Sequence, residues 1–283
     1  MAGTTIAFDL GGTKIDICRM RPDGSFVFRD RVATASLGPG RPEFLGAAFD
    51  LFERYVKAED SKIGLSWNAP VHESRLTQSS LLGGRIEVDL GDMLQRRFDR
   101  SYQVESDVQA MALGEYRFGQ GHSAAPLVVV NLGSGSGFAY HDGSVMRGCR
   151  GGAGLISQER FFVEEISDSL IMDHLLSGRG VALIYERLSG QTRTALDVSH
   201  LVGSDDAAAE TFAIIGKYLG RLLVMLARHF NPRTFVLCGS VAQAATHFIH
   251  LTRAYVHEHA EPACQPDAIV VSQLEAAACR GLV

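Results

Sequence analysis

The sequence predicts an α/β protein made of two halves of like architecture, on three observations. A glycine turn sits between two strand-like runs in "FDLGGTKIDI", residues 8–17. The same order of features returns at 127–143 in "LVVVNLGSGSGFAYHDG": strand, Asn-Leu-Gly, small-residue turn, strand, Asp-Gly turn. Between and after these hairpins, short apolar runs alternate with longer segments whose apolar residues recur at helical spacing. A glycine-rich hairpin is common, so one echo is within chance. Its recurrence at the same place in both halves favours two domains facing one ligand. A chain of 283 residues is long enough for that.

The elements follow in order. "TTIAFDL" and "IDICRM" are strands of one hairpin, and "PDG" (22–24) starts the next turn. In "PEFLGAAFDLFERYVKA" (42–58), Phe44, Leu45, Ala48, Leu51, Phe52 and Tyr55 make an amphipathic helix. "KIGLSW" reads as a buried strand. "SDVQAMALGEYRFG" (106–119) reads as a helix that Ser106 or Asp107 caps and that ends at a glycine. "DDAAAETFAIIGKYLGRLLVMLARHF" reads as one long helix, and "RTFVLCGSVAQAATHF" (233–248) as strand, Gly-Ser, helix. That last order is typical of a site at the carboxyl end of a strand.

Composition excludes several classes. A net charge of −5 provides no basic field for nucleic acid. The most apolar stretch, 211–230, contains Lys217, Arg221 and Arg228, so it reads as a buried helix and not a membrane span. The N-terminus enters a strand interrupted by Asp9 and Lys14, so no signal peptide is expected. Cys18, Cys149, Cys238, Cys264 and Cys279 are odd in number and scattered, which suits neither a disulfide framework nor a zinc site. A reduced, cytoplasmic setting is expected.

"LGGTK" lacks the spacing of the common P-loop, and "GSGSG" leads into a strand where a dinucleotide fingerprint leads into a helix. Both are better read as hairpins whose glycines let backbone N–H groups approach an anion. Thr13 offers a hydroxyl and Lys14 a charge, and Asp9 suits water-mediated magnesium binding. A purely structural hairpin competes on even terms at either place. Asp107, at a helix start, has the bland reading of an acid favoured by the helix dipole. His247, His250, His257 and His259 read as a solvated helix end before they read as metal ligands.

Five motifs, "AFDLGGTKIDI", "VESDVQAMALGE", "VVNLGSGSG", "RGCRGGAG" and "NPRTFVLCGSV", stand in the order and spacing of the ROK family (repressor, open reading frame, kinase). The chain resembles that family from end to end. The resemblance implies an actin-like, ribonuclease-H-like two-domain ATPase and sugar kinase fold with ATP in the cleft. It implies one phosphate hairpin formed by Asp9, Gly11, Gly12, Thr13 and Lys14, and a second formed by Gly133, Ser134 and Gly135. Gly239 and Ser240 would lie by the adenosine, and Asp107 would be the catalytic base. The implied division is a small domain over 1–119, joined by a C-terminal helix at 272–283, and a large domain over 120–271.

The chain also departs from the family. Hexose kinases of the family have Asn-Asp where this chain has Ser106-Asp107. Leu155 and Ser157 stand at the positions of a glutamate and a histidine, and Ser80 lies where a Pro-Asn-Leu touches sugar. The cysteine-rich zinc loop is missing, so no zinc is expected, and Glu164 or Glu165 is the candidate for the last sugar-binding acid. The expected activity is ATP- and magnesium-dependent phosphorylation of a hydroxyl on a sugar or sugar-like small molecule. The alternative is a nucleotide or metabolite sensor that has lost sugar recognition. The family's repressors carry an N-terminal helix-turn-helix that this sequence does not show, so direct DNA binding is not expected. A homodimer is compatible with the resemblance.

Overall fold

The computed structural model describes residues 3–121 and 123–283. Two compact units emerge. The first comprises Met1–His122, Ser144–Ala153 and Gln273–Val283, and the second Ser123–Gly143 and Gly154–Ser272. Met1, Ala2 and His122, which fall in the two expected domains, lie outside the described residues.

In the first unit, β1 (Thr4–Leu10) and β2 (Lys14–Met20) form the antiparallel hairpin around the first glycine turn. Then follow β3 (Phe26–Ala33), α1 (Glu43–Tyr55), β4 (Asp60–Trp67), the hairpin β5 (Arg75–Ser79) and β6 (Gly84–Asp89), α2 (Leu90–Phe98), β7 (Ser101–Ser106) and α3 (Asp107–Phe118). The five-stranded sheet has the order β3-β2-β1-β4-β7. Its three strands β1, β4 and β7 run parallel, so their carboxyl ends share one edge. Ile6, Phe8, Ile15, Ile17, Ile63 and Leu65 alternate onto the face that receives Phe44, Ala48, Phe49 and Phe52 of α1. That packing is what the helical spacing of α1 anticipates: its apolar stripe is buried and its acids face water. Trp67, the sole tryptophan, is fully buried and donates from Nε1 to Ser79 Oγ at 2.9 Å.

In the second unit, β8 (Leu127–Leu132) and β9 (Ser136–His141) form the antiparallel hairpin around the second turn. The hairpin β10 (Arg160–Val163) and β11 (Asp168–Ile171) follows, then α4 (Met172–Leu175), α5 (Gly178–Ser189), α6 (Ala195–Leu201) and α7 (Asp206–Phe230). After them come β12 (Thr234–Cys238), α8 (Ile249–His259) and β13 (Ala268–Val271), and the four-stranded sheet has the order β13-β12-β8-β9. The charges of α7 that argue against a membrane span lie on its surface, and its other face packs Phe212, Ile215, Leu219, Leu222 and Leu226 into the core. Among the described residues, no helix is long and apolar enough to cross a membrane.

Several details differ from the sequence reading. Ser144–Ala153, inside the expected 120–271 domain, packs with the first unit. There Arg147 grips Glu105 through two hydrogen bonds, Nη2 to Oε1 at 2.6 Å and Nε to Oε2 at 3.1 Å. The C-terminal helix, α9, is confined to Ala277–Gly281 and packs on α3, where Gly114 and Gly281 admit a close backbone approach. After Gly239-Ser240 the chain forms a 3-10 helix over Val241–His247 before α8 begins. Ser240 makes no side-chain cap there, and an uncapped first turn tightens to i→i+3 bonding. Ser106 is the N-cap of α3 but its side chain makes no capping bond; Asp107 Oδ1 instead accepts the Val108 N–H at 2.8 Å.

Candidate functional site

Three adjacent parallel strands deliver the candidate residues of the first unit to one edge. Leu10 of β1 pairs with Trp67 of β4, and Trp67 pairs with Ser106 of β7. The next residues are therefore Gly11, Asn68 and Asp107, side by side at the carboxyl ends of the strands. Two strand spacings separate the first from the last, roughly 10 Å. Ligands in open α/β sheets bind at such an edge.

The first hairpin is closed by the Gly11 N–H donating to the Lys14 carbonyl at 3.0 Å. Thr34 secures it, donating from Oγ1 to the Gly11 carbonyl at 2.8 Å and from its N–H to the Thr13 carbonyl at 3.0 Å. Gly12 is not demanded by the packing. A Cβ there would have Asn68 Nδ2, at 3.8 Å, as its nearest neighbour. Lys14 is half exposed and rests on Asp16 at 3.2 Å, which Arg31 also grips at 2.6 Å.

Asp9 sits at the base of the turn. Its Oδ1 accepts from Ser66 Oγ at 2.6 Å. The residue keeps some exposed surface, yet burial of the carboxyl pushes its pKa up from 3.8 to about 6. The Ser66 bond favours the carboxylate, the Asp16 charge opposes it, and Lys14 favours it weakly. Beside it, Asn68 Oδ1 is buried without a hydrogen-bond partner among the described residues. A carboxylate, a hydroxyl and an unpartnered amide oxygen make a donor set that fits magnesium with its shell of water. Ser106 is buried, whereas Ser80 is exposed at the start of a 3-10 turn whose neighbour Ser79 holds Trp67.

In the second unit, Gly133, Ser134 and Gly135 form a tight turn closed by the Gly133 N–H on the Gly135 carbonyl at 2.9 Å. Asp173 supports it, Oδ1 accepting the Ser136 N–H at 3.0 Å, while Ser136 Oγ donates to the Met172 carbonyl at 2.8 Å. Parallel pairing of β12 with β8, Cys238 opposite Asn131, brings Gly239 and Ser240 beside this turn. Gly239 has φ +95°, and a Cβ there would lie 2.5 Å from the Leu132 carbonyl oxygen and 2.6 Å from Asn131 Oδ1. Only glycine satisfies both the conformation and the contact. Thus the structure brings the second hairpin and the Gly-Ser pair together.

Leu155 is half exposed, and Ser157 accepts the Asp173 N–H through its backbone carbonyl at 2.9 Å. Glu164 is exposed and pairs with Lys217 at 3.1 Å. Glu165 meets the same lysine at 2.7 Å and Tyr218 Oη at 3.3 Å. Burial, the largest single influence, raises the Glu165 pKa, but the Lys217 hydrogen bond and charge, a backbone hydrogen bond and the Tyr218 hydrogen bond together outweigh it, and the net shift is downward. Among the described residues, no cluster of three or more His, Cys, Asp or Glu side chains is arranged to hold a metal ion.

The sequence that carries these two glycine hairpins matches a known family. The ROK family model covers residues 5–282. The chain belongs to the ROK family. The glucokinase of Streptomyces coelicolor is 22% identical over 269 residues, 85% of this chain and 83% of its own. The N-acetyl-D-glucosamine kinase of Aliivibrio salmonicida is 25% identical over 268 residues, 84% of either chain. A ROK family glucokinase from Streptomyces griseus, crystallised with glucose and AMPPNP, superposes with a TM-score of 0.81 at 23% identity, over 99% of this chain and 97% of that one. The fold is therefore the actin-like, two-domain α/β fold of these kinases.

Against the ROK pattern, four residues that the structure brings to the hairpins escaped the sequence reading: Ser66, Asn68, Asp173 and Arg179. Ser66 and Asn68 flank Trp67 in "LSWNAP", where register with β1 was the signal that could have found them. Asp173 lies four residues before Ser177-Gly178, a small-residue helix start like those of the motifs already quoted. Glu164, a candidate through the family resemblance, pairs with Lys217, while Asp173 lies at the second hairpin.

Proposed function

We propose that this ROK family protein is an ATP-dependent sugar kinase that phosphorylates a hydroxyl of a sugar or sugar-like acceptor. The observation that carries the reading is the placement of Asp107 at the same sheet edge as the Asp9 hairpin, two strands away. An acid with only a helix-start role has no need of that neighbourhood. The kinases named among the relatives support the same class.

The chemistry follows from the residues. Asp107 accepts the proton of the attacking hydroxyl, and the acceptor oxygen forms a bond to the γ-phosphorus as the bond to the β–γ bridging oxygen breaks. ADP leaves with that electron pair. Backbone N–H groups of the hairpin at Gly11, Gly12 and Thr13, with Lys14, bind phosphate charge, and those of Gly133, Ser134 and Gly135 do so from the other unit. Gly239 and Ser240 hold the adenosine. Magnesium, when bound, neutralises the charge spreading over the phosphate oxygens. Asp9 would hold it through a water, its carboxylate kept in place by the Ser66 hydroxyl. On the acceptor side, Ser80, Ser106, Leu155, Ser157 and Glu164 are the candidate contacts, and no structural zinc takes part.

Leu155 and Ser157 replace two polar groups, and a pocket that lacks them discriminates hydroxyl patterns weakly. Glucose and N-acetylmannosamine are therefore expected to be poor acceptors beside a smaller or less polar one. The test is ADP release over a panel of sugars, amino sugars and polyols, with Asp107→Asn alongside. Acceptor-stimulated release that the variant loses supports the reading. Release by no acceptor, with no change in the variant, makes the protein a sensor.

A further inference from the structure

The second hairpin has a cationic neighbour that none of the motifs contains. Arg179 is the second residue of α5. The start of that helix is pinned to the turn by the Gly178 N–H, which donates to the Gly133 carbonyl at 3.0 Å. Arg179 Nε donates to the Ser134 carbonyl at 3.2 Å. Its side chain is exposed, and among the described residues it joins no ion pair. The acid beside the turn, Asp173, spends one oxygen on the Ser136 N–H.

A guanidinium has five N–H donors in a rigid plane. Use of Nε on the turn fixes that plane relative to the hairpin and leaves the four Nη–H donors for something else. A planar fork of this kind matches two oxygens of one phosphate, and an ammonium does not.

We propose that Arg179 is a nucleotide phosphate-binding residue: it props the Ser134 turn with Nε and presents its Nη fork to the phosphate lying on that turn. This rests on the reading of Gly133–Gly135 as a phosphate hairpin. It adds a side-chain cation from the second unit to the backbone donors there. The ligand is a nucleoside di- or triphosphate, and the contact is made in binding as well as in transfer.

The experiment is calorimetric titration of the full chain with Mg-ATP for the wild type, Arg179→Ala and Arg179→Gln. Glutamine retains an N–H donor for the Ser134 carbonyl and loses the charge and fork. Both variants are expected to bind Mg-ATP at least about tenfold more weakly, with a shallower dependence of affinity on salt, since one charge-assisted contact is lost. Their ligand-free melting temperatures are expected to match the wild type. If the alanine variant melts early, the glutamine variant decides. A glutamine variant that binds Mg-ATP like the wild type, with the same salt dependence, overturns the proposal, because Arg179 would then only prop the turn. A wild-type protein that binds no Mg-ATP overturns the kinase reading itself and this inference with it.

Discussion

Asp9→Asn is expected to make the ligand-free protein more stable and the enzyme inactive. Burial lifts the Asp9 pKa from 3.8 to about 6, so holding the carboxylate charged above that value costs the fold free energy. Two pKa units correspond to about 3 kcal/mol at most. Asparagine carries no charge and its Oδ1 still accepts from Ser66 Oγ, as Asp9 Oδ1 does at 2.6 Å. Its new N–H groups need partners, which reduces the expected gain to roughly 1–3 kcal/mol at pH 7. The sign follows from linkage. Between pH 3.8 and about 6 the folded state binds more protons at Asp9 than the unfolded chain, so the stability contributed by this group falls as pH rises through that window. The advantage of the variant should therefore shrink towards zero near pH 4. Trp67 is buried in the first unit and is the chain's sole tryptophan, so its emission during urea denaturation reports the right unit. A variant less stable than the wild type at pH 7, or a difference that does not change between pH 4 and pH 7, refutes the reasoning.

Other outcomes follow from the same residues. Gly12→Val should fold normally, because the space beside Gly12 is open to 3.8 Å, and should lose the rise in melting temperature that Mg-ATP gives the wild type; an unchanged shift would remove the first hairpin from the site. Asn68→Ala deletes a buried amide oxygen that has no partner among the described residues, so the Trp67 transition should move to higher urea, a gain in stability of about 1 kcal/mol. Destabilisation by more than about that amount would mean the amide is satisfied in solution. Metal analysis of protein prepared without added zinc should find far less than one equivalent. Stoichiometric zinc, lost with the fold on chelation, would contradict the reading of five dispersed cysteines.

The hairpins, the amphipathic α1 and the long α7 were legible because each is a local pattern of apolar spacing broken by glycine. The partition of the chain was less so. Nothing in "SVMRGCRGGA" announces that it packs with the first unit, because the Arg147–Glu105 pair that secures it spans 42 residues. Asp107 was legible as a helix-start acid, yet its place beside the Asp9 hairpin depends on the strand order β1-β4-β7, which a sequence does not state. Asn68 and Arg179 went unnoticed for the same reason. Each is an ordinary polar residue until a distant turn comes to lie against it. The pairing of Glu164 with Lys217 of α7 was likewise illegible, because the two residues are 53 positions apart.

The central claim is that the chain transfers the γ-phosphate of ATP to a hydroxyl with Asp107 as base. The direct measurement is the appearance of a sugar phosphomonoester, followed by phosphorus NMR, when ATP, magnesium and the best acceptor of a screen are mixed with wild-type protein or with Asp107→Asn. The wild type should build the phosphomonoester in step with ADP. The variant should do so more slowly by a factor of about 10²–10⁴, with ATP affinity little changed, as expected for loss of a general base. A variant that forms the ester at the wild-type rate, or a wild type that forms none from any acceptor, would contradict the account.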